Sequence, residues 1–301
     1  MADNQTMKST ISLRHFLLAL GVVTVWGTNF VVIKVALGQM PPLLFASLRF
    51  VLVLLPMVFV LPRPAVSWRN LAAYGLLIGV GQFGLLYIAM NGHISPGLAS
   101  LVMQLQVFFT IGLSMFLSGE RLHRVQWLAL ILASAGIGVI VLHTDGNTSL
   151  LGLGLVLLAA LCWAGGNIVA REAGRINMVA YVVWSSLFAV PPLIALSVLV
   201  EGWDVVATGV RGADVFTWLA VAWQAWANSL FGFAAWGWLL ARYPAATVAP
   251  MALLVPLFGM GAASVWLNEG LPLWKLGAAA LVLSGLALNL LWPRWRLRSR
   301  R

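Results

Sequence analysis

Long apolar stretches, separated by short segments of polar residues, glycine and proline, recur along the whole chain. A helix needs about 20 apolar residues to cross the roughly 30 Å hydrocarbon core of a bilayer. The pattern therefore predicts an all-α integral membrane protein with ten transmembrane helices. The predicted spans cover residues 16–37, 43–61, 71–90, 97–117, 125–143, 150–170, 179–199, 215–240, 245–267 and 273–291.

The segments outside the predicted spans are mostly short, which leaves no room for a soluble domain. Residues 200–214 form a longer connection, which we expect to lie along the membrane surface. The polar residues 1–15 precede the first span. That span contains Trp26, Asn29 and Lys34 and is longer than the apolar core of a cleaved secretory signal, so we expect it to remain in the mature protein.

The composition agrees with a membrane protein: 61% of the 301 residues are hydrophobic and 9% are charged, with a mean hydropathy of +0.96. Soluble proteins contain about 25% charged residues. The net charge of +10 does not indicate a nucleic-acid partner, because the cations are spread over the segments between spans and end in an arginine-rich tail. Membrane lipids are the expected partner of this surface.

Cationic side chains close to a span resist translocation, so they accumulate on the cytoplasmic side. With a cytoplasmic amino terminus, Arg211 and Lys275 fall on the outer side, and fourteen cations fall on the inner side. We therefore predict a bacterial inner-membrane protein with both termini in the cytoplasm. The inner set comprises Lys8, Arg14, Arg63, Arg69, Arg121, Arg124, Arg171, Arg175, Arg242, Arg294, Arg296, Arg298, Arg300 and Arg301.

A repeat search finds two similar halves. The matched residues are separated by 148 or 149 positions in the later spans and by 137 or 138 in the first span of each half. Chance similarity between apolar helices is the alternative, but the matches include a charged residue and a helix-starting proline. The pairs are Pro96 and Pro244, Met103 and Met251, Glu120 and Glu269, Gly136 and Gly285, Trp26 and Trp163, and Asn29 and Asn167.

Each half, residues 1–146 and 147–301, contains five predicted spans. Because five is odd, the second half enters the membrane from the opposite side. Inverted repeats of this kind are typical of secondary transporters, which place the substrate site near the middle of the bilayer, between the repeats. We expect a water-filled cavity there, walled in part by tryptophan.

Several segments of the first half form a recognisable pattern: Trp26-Gly27-Thr28-Asn29-Phe30, Lys34, Pro41-Pro42, Arg49-Phe50, Pro96-Gly97-Leu98-Ala99-Ser100 and Gly119-Glu120-Arg121-Leu122. They resemble the drug/metabolite transporter superfamily, in particular its ten-helix EamA-type exporters. The resemblance covers nearly the whole chain and implies export of amino acids and related metabolites, as in bacterial exporters of the aromatic and cysteine-pathway types. The second half departs from the pattern, with Asn268-Glu269-Gly270 in place of Gly-Glu-Arg.

Polar side chains within a span are costly in lipid and therefore face another helix or a cavity. Trp26 and Asn29 share one face of the first span, and Trp163 and Asn167 share one face of the sixth. Tryptophan offers an apolar wall and a π face for an ammonium group, and asparagine both donates and accepts hydrogen bonds. We predict that they bind substrate; an ordinary interhelical hydrogen bond is the alternative.

Four further candidates for the substrate cavity lie in the third and eighth spans. Gln224 and Asn228 are four residues apart and share a face of a tryptophan-rich helix. Gln82 lies on the glycine-bearing face of the third span, and Tyr87 lies about 140° around the helix from it, at the helical rotation of 100° per residue.

Gln104 and Gln106 lie about 200° apart around the fourth span, so we expect one of them to face the cavity and assign Gln106 to it. Lys34 and Arg49 are the cations well inside the predicted spans, both toward the outer end. Snorkelling to the outer interface is the simplest expectation for both. Alternatively, Lys34 attracts the carboxylate of a substrate.

Pro250 and Pro256 interrupt the ninth span, where each removes a helical hydrogen bond. We predict that they lie near a moving gate. All acids fall at span ends or in loops, which favours facilitated, downhill transport over proton antiport. Glu120 and Glu269 are reserve candidates for a proton relay, with helix capping as the alternative. The acids are Asp3, Glu120, Asp145, Glu172, Glu201, Asp204, Asp214 and Glu269.

These features predict an alternating-access exporter of amino acids, with broad specificity for neutral and aromatic ones. The lone cysteine, Cys162, and four dispersed histidines predict neither a disulfide nor a metal site, and we expect no cofactor. Two alternatives remain: a proton-coupled drug/metabolite efflux carrier, and a lipid-modifying membrane enzyme, for which no catalytic motif is found. A homodimer is compatible with the sequence.

Overall fold

The structure is a computed structural model that describes residues 11–118, 124–143, 148–243 and 245–298. Within these ranges, nine helices are long and apolar enough to cross a membrane, and a bent pair of helices forms a tenth span. We number the spans α1 Leu13–Ala36, α2 Pro42–Val60, α3 Trp68–Met90, α4 Pro96–Leu117, α5 Arg124–Leu142, α6 Leu150–Glu172, α7 Met178–Glu201, α8 Val215–Arg242, α9 Ala249–Leu267 and α10 Leu273–Leu291.

The predicted order of spans is confirmed, and their number agrees with ten when the bent pair, Trp203–Gly212 and Val215–Arg242 with a bend of 102°, counts as one span. The longer connection forms a linker helix, Trp203–Gly212, in front of α8. Gly202 separates it from α7 with a φ of 88°, a conformation that glycine adopts readily. A single helical turn, Ala245–Val248, precedes α9. The predicted boundary between the halves, at residues 146 and 147, lies outside the described residues.

Counterpart helices of the two halves make equivalent contacts. In the first half α1 packs against α8 and α9, and in the second half its counterpart α6 packs against α3 and α4. The two remaining counterpart pairs contact each other directly, α2 with α7 and α5 with α10. The structure is thus a bundle of two interlocked inverted repeats, as the sequence predicts.

Two matched glycines explain one of these close contacts. Gly136 in α5 faces Ala278 and Val282 of α10, and Gly285 in α10 faces the backbone of Ala129 in α5. A side chain at either position would collide with the opposite helix. Small residues allow membrane helices to approach closely, and van der Waals packing then holds them together.

Departures from regular α-helix occur at equivalent depths in the two halves. In α3, residues Leu76–Gly84 form a π-helix, and in α8 residues Trp223–Phe231 do the same. In α4 and α9 a 3₁₀ turn replaces the α-helix, at Met103–Leu105 and Ala249–Leu253. Such irregular turns are frequent at functional sites, and in membrane proteins they are tolerated where protein or water satisfies the backbone.

Candidate functional site

Arg49 lies at the centre of the largest polar contact network among the spans. It is the eighth residue of α2, about 10 Å from the start of that helix at 1.5 Å per residue, and 1% of it is exposed. Its guanidinium carbon lies 3.6 Å from the centre of the Phe83 ring in α3. The aromatic face stabilises the cation in a region that water does not reach.

The guanidinium donates hydrogen bonds to neutral groups on two other helices. Nη1 donates to the Tyr87 hydroxyl at 2.9 Å and to Gln224 Oε1 at 3.1 Å. Nε and Nη2 both donate to Ser229 Oγ, at 3.2 and 2.8 Å. The acceptors come from α3 and α8, so Arg49 joins α2 to the equivalent irregular helices of both halves.

The acceptors are themselves connected. The Tyr87 hydroxyl donates to Gln224 Oε1 at 3.0 Å, and Gln224 Nε2 donates to Asn29 Oδ1 in α1 at 2.7 Å. The Ser229 hydroxyl donates to the backbone carbonyl of Gln224, five residues earlier in the π-helix, at 2.9 Å. We call these five residues, Asn29, Arg49, Tyr87, Gln224 and Ser229, the Arg49 cluster.

A small cavity borders the Arg49 cluster between α2, α3, α7 and α8. Its volume is about 10 Å³, roughly enough for one water molecule. Arg49, Ser185, Ser186 and Ser229 are among the residues that line it. Ser185 Oγ is buried and has no hydrogen-bond partner among the described residues. The cavity beside Arg49 is therefore far narrower than the wet vestibule that the sequence predicts.

A second polar group joins α4 and α6. Asn167 Nδ2 donates to Gln106 Oε1 at 2.8 Å and to Thr110 Oγ1 at 3.3 Å. All three side chains are partly buried. Asn29 and Asn167, which are equivalent in the repeat, thus lie in separate clusters, each bound to a glutamine of a neighbouring helix.

The other candidates lie around these clusters. The Trp26 indole donates to the backbone carbonyl of Asn228 at 3.1 Å, and the Asn228 side chain is buried. Gln82 is buried in the π-helix of α3, and Trp163 is half-buried in α6.

The two prolines predicted at a gate both lie in α9, close to its irregular start. Pro250 lies in the 3₁₀ turn of α9, and Pro256 is buried one turn further along the helix.

We call the end of the bundle at which α1, α3, α7 and α9 finish the Glu269 face. Glu269 follows α9 and accepts hydrogen bonds from the Ser95 hydroxyl at 2.6 Å and the Gly97 backbone N–H at 2.9 Å, at the start of α4. Lys275 Nζ lies 2.9 Å from Glu269 Oε1. The capping role that the sequence left open for Glu269 matches this geometry, whereas Glu120 lies outside the described residues.

Lys34 is half-buried near the same face, where Nζ donates to the Met90 carbonyl at 3.3 Å. It lines a cavity of about 560 Å³ together with Glu269 and Lys275. Lys34 therefore lies beside a carboxylate and a second cation, at the entrance to the bundle.

The expectation that Arg49 snorkels to the interface is wrong. The side chain turns into the bundle, because Tyr87, Gln224 and Ser229 offer acceptors there that lipid lacks. Sequence analysis also missed Ser185 and Ser229. One feature of the sequence could have indicated a polar site around Arg49: this cation lies within a span, and no acid lies within the predicted spans to pair with it.

The structure brings Asn29, Tyr87 and Gln224 together around Arg49, and Gln106 and Asn167 together elsewhere. Lys34, Pro250 and Pro256 lie apart from both groups, and within the described part of the chain no hydrogen bond is seen between the Arg49 cluster and Gln82 or Trp163. The prediction that all of these residues bind substrate remains a prediction.

Comparison with known proteins gives consistent matches over the full chain. A probable amino-acid metabolite efflux pump of Escherichia coli (strain K12) is 40% identical over 95% of this chain and 98% of its own length. A probable amino-acid metabolite efflux pump of Salmonella typhimurium is 42% identical over 93% of this chain and 95% of its own.

A solved crystal structure, 18% identical, has the same fold with a TM-score of 0.65 and covers 93% of this chain and 96% of its own. The model of the EamA-like transporter family matches twice, at residues 13–142 and 150–291, once in each five-helix repeat. The chain belongs to the EamA-like transporter family.

Proposed function

We propose that this protein exports amino acids and related metabolites across the bacterial inner membrane, favouring neutral and aromatic ones with broad specificity. The observation that carries the proposal is the full-length similarity, at 40 and 42% identity, to two proteins named as probable amino-acid metabolite efflux pumps. The Arg49 cluster supports it, since a polar group enclosed by apolar and aromatic helices suits a small zwitterion with an apolar side chain.

The orientation follows from the cations. With both termini in the cytoplasm, Arg63, Arg69 and Arg171 lie on the cytoplasmic side and the Glu269 face lies on the periplasmic side. The large cavity beside Lys34 then opens to the periplasm, and the Arg49 cluster lies deeper in the membrane.

Alternating access would exchange the contacts of the two repeats. The irregular segments of α3, α4, α8 and α9 lie at equivalent depths in the two halves. Because they contain fewer regular helical hydrogen bonds, the helices can bend there during the exchange. Pro250 lies in the irregular start of α9 and Pro256 follows in the regular part of the helix, and we place the gate between them.

Transport is proposed to be facilitated and downhill. The described acids, Glu172, Glu201, Asp204, Asp214 and Glu269, lie at helix ends or in the linker helix. Asp3, Glu120 and Asp145 lie outside the described residues. A proton relay commonly uses an acid inside a span, and the described spans contain none in their middle.

The test uses purified protein in liposomes and a panel of radiolabelled amino acids. We expect saturable uptake of neutral and aromatic amino acids, unchanged when an imposed pH gradient is collapsed. Accumulation that requires the gradient would show proton coupling instead. Liposomes that move none of the panel faster than protein-free ones would contradict the proposal.

A further inference from the structure

Arg49 carries a buried charge that no acid balances in the described part of the protein. The one ion pair there joins Lys275 to Glu269. An arginine stays protonated in proteins, and a buried charge is costly unless it is paired. The neutral acceptors Tyr87, Gln224 and Ser229 reduce this cost, but they supply no negative charge. The site therefore favours an anion.

The hydrogen bonds of Arg49 also leave capacity for a ligand. A guanidinium has five N–H donors, and the structure shows four hydrogen bonds from Arg49, two of which converge on Ser229 Oγ. A carboxylate offers two oxygens to the fork of Nε and Nη2 and binds it in a bidentate manner. A single hydroxyl now holds the position that best fits such a group.

Ser185 lines the same cavity from α7. The residue is 2% exposed, its hydroxyl lacks a partner among the described residues, and Arg49 and Ser229 line the cavity with it. A buried hydroxyl without a partner is costly, so its retention calls for a ligand or a water. The lining thus combines a hydrogen-bond donor and a cation, which suits an anionic oxygen.

The repeat gives this position a further meaning. The offset of 137 that relates Trp26 to Trp163 pairs Arg49 with Ser186, next to Ser185. The counterpart helices α2 and α7 contact each other, and Arg49 and the two serines line one cavity between them. A group bound in this cavity would contact both repeats.

We propose that Arg49 and Ser185 form the binding site for the carboxylate of the transported amino acid. This inference rests on the proposed function. The carboxylate replaces Ser229 as the acceptor for Nε and Nη2 and accepts a hydrogen bond from Ser185 Oγ. The cavity of about 10 Å³ is too small for this group, so binding requires α7 to separate from α3.

The glycines of α3 show how the site closes. Gly75 packs against the backbone of Ser185, and Gly79 packs against Ala189. No side chain of α3 intervenes at these two positions, so α7 closes directly over Arg49.

The proposal is tested by ligand-induced thermal stabilisation of the purified protein. The probes are L-phenylalanine, 3-phenylpropanoate, which keeps the carboxylate, and phenethylamine, which keeps the ammonium. We expect phenethylamine to bind at least tenfold more weakly than the two carboxylates. Equal binding of phenethylamine and phenylalanine would overturn the proposal.

Two variants address the residues. Arg49→Gln should weaken both carboxylates at least tenfold and leave phenethylamine unchanged. Ser185→Ala should weaken them severalfold and fold at least as well as the wild type, because it removes a hydroxyl that has no partner. The matched control is Arg63→Gln, since Arg63 also stacks on an aromatic ring, at 3.9 Å from Trp68, but is exposed.

The outcomes separate this inference from the proposed function. If 3-phenylpropanoate binds and needs Arg49 while liposomes transport no amino acid, the carboxylate site stands and the proposed function fails. If amino acids are transported but Arg49→Gln and Ser185→Ala bind them as the wild type does, the site is wrong. Loss of the carboxylate preference in Lys34→Gln but not in Arg49→Gln would assign the site to Lys34.

Discussion

Two regions of this protein bury a charged side chain, and they treat it differently. At the Glu269 face, the Glu269 carboxylate meets the Lys275 ammonium and the start of α4. In the Arg49 cluster, the guanidinium meets hydroxyl and amide groups and the Phe83 ring, and no opposite charge among the described residues. Both groups are almost fully enclosed: 1% of Arg49 is exposed, and so are 10% of the Glu269 side chain and 7% of that of Lys275.

The presence or absence of an opposite charge distinguishes Glu269, whose role is structural, from Arg49, which we propose binds a ligand. Glu269 has a cation, a backbone N–H and a hydroxyl, so its interactions are complete and join α4 to the end of α9. Arg49 has hydrogen bonds but no opposite charge, so an anion that enters its site gains more than one that approaches Glu269. Removing either charge should therefore have different consequences for stability and for binding.

Glu269→Gln should give the largest loss of stability among the changes considered. It leaves Lys275 buried without its partner, and breaking a buried ion pair typically costs about 3–5 kcal/mol. A clear fall in the Tm of the purified protein is expected. The double variant Glu269→Gln with Lys275→Met should recover part of the loss. A single variant as stable as the wild type would contradict the structural role.

Tyr87→Phe should cause the second-largest loss of stability. The hydroxyl accepts from Arg49 and donates to Gln224, so its removal leaves a buried donor with fewer acceptors, at a cost of about 1–3 kcal/mol. The Tm should fall, but less than for Glu269→Gln. An unchanged Tm would show that the Arg49 cluster tolerates a missing acceptor and would weaken the contrast between the two regions.

Much of this contrast was not predictable from the sequence. Hydrophobic length predicts the ten spans because lipid requires about 20 apolar residues in each, and the repeat predicts the pairing of counterpart helices. Helical spacing identifies Asn29 and Gln224 as inward-facing. It does not show that Asn29 reaches Gln224 while Asn167 reaches Gln106, because each partner depends on how the helices rotate and cross.

The location of the Arg49 side chain was also not predictable from the sequence. Sequence favours snorkelling, because an isolated arginine in lipid seeks water. The acceptors that hold it inside come from residues 87, 224 and 229, distant in the chain and brought together by packing. Ser185 has no signal at all in the sequence, since an ordinary serine in a span bonds to its own helix.

Gln224→Glu should give Arg49 an ionic partner, as Lys275 has in Glu269. Gln224 Oε1 lies 3.1 Å from Arg49 Nη1, so a glutamate there supplies the missing negative charge. The free energy of unfolding should rise by about 1 kcal/mol or more, because a charge-assisted hydrogen bond is stronger than a neutral one. The Tm should rise with it. Binding of 3-phenylpropanoate should weaken at least tenfold, because the site no longer needs an external anion. A variant that binds the carboxylate as well as the wild type would argue against competition for Arg49.

Asp214→Asn should have the smallest effect and extends the comparison to an exposed carboxylate near the Glu269 face. Asp214 caps α8 by accepting from the Thr217 backbone N–H at 2.8 Å and hydroxyl at 2.9 Å, and it also accepts from Gln39 Nε2 at 3.0 Å. These donors, led by the Thr217 N–H, lower the pKa of Asp214.

A pKa lowered in the folded state stabilises the protein at pH values above the ordinary value of the group. That stabilisation is lost as the pH falls below about 4 and through the lowered pKa. The Tm of the wild type should therefore fall slightly more steeply than that of Asp214→Asn between pH 6 and 3, since asparagine still caps the helix and does not titrate. Parallel Tm curves would show that the Asp214 charge contributes nothing, as expected of a carboxylate that water already solvates.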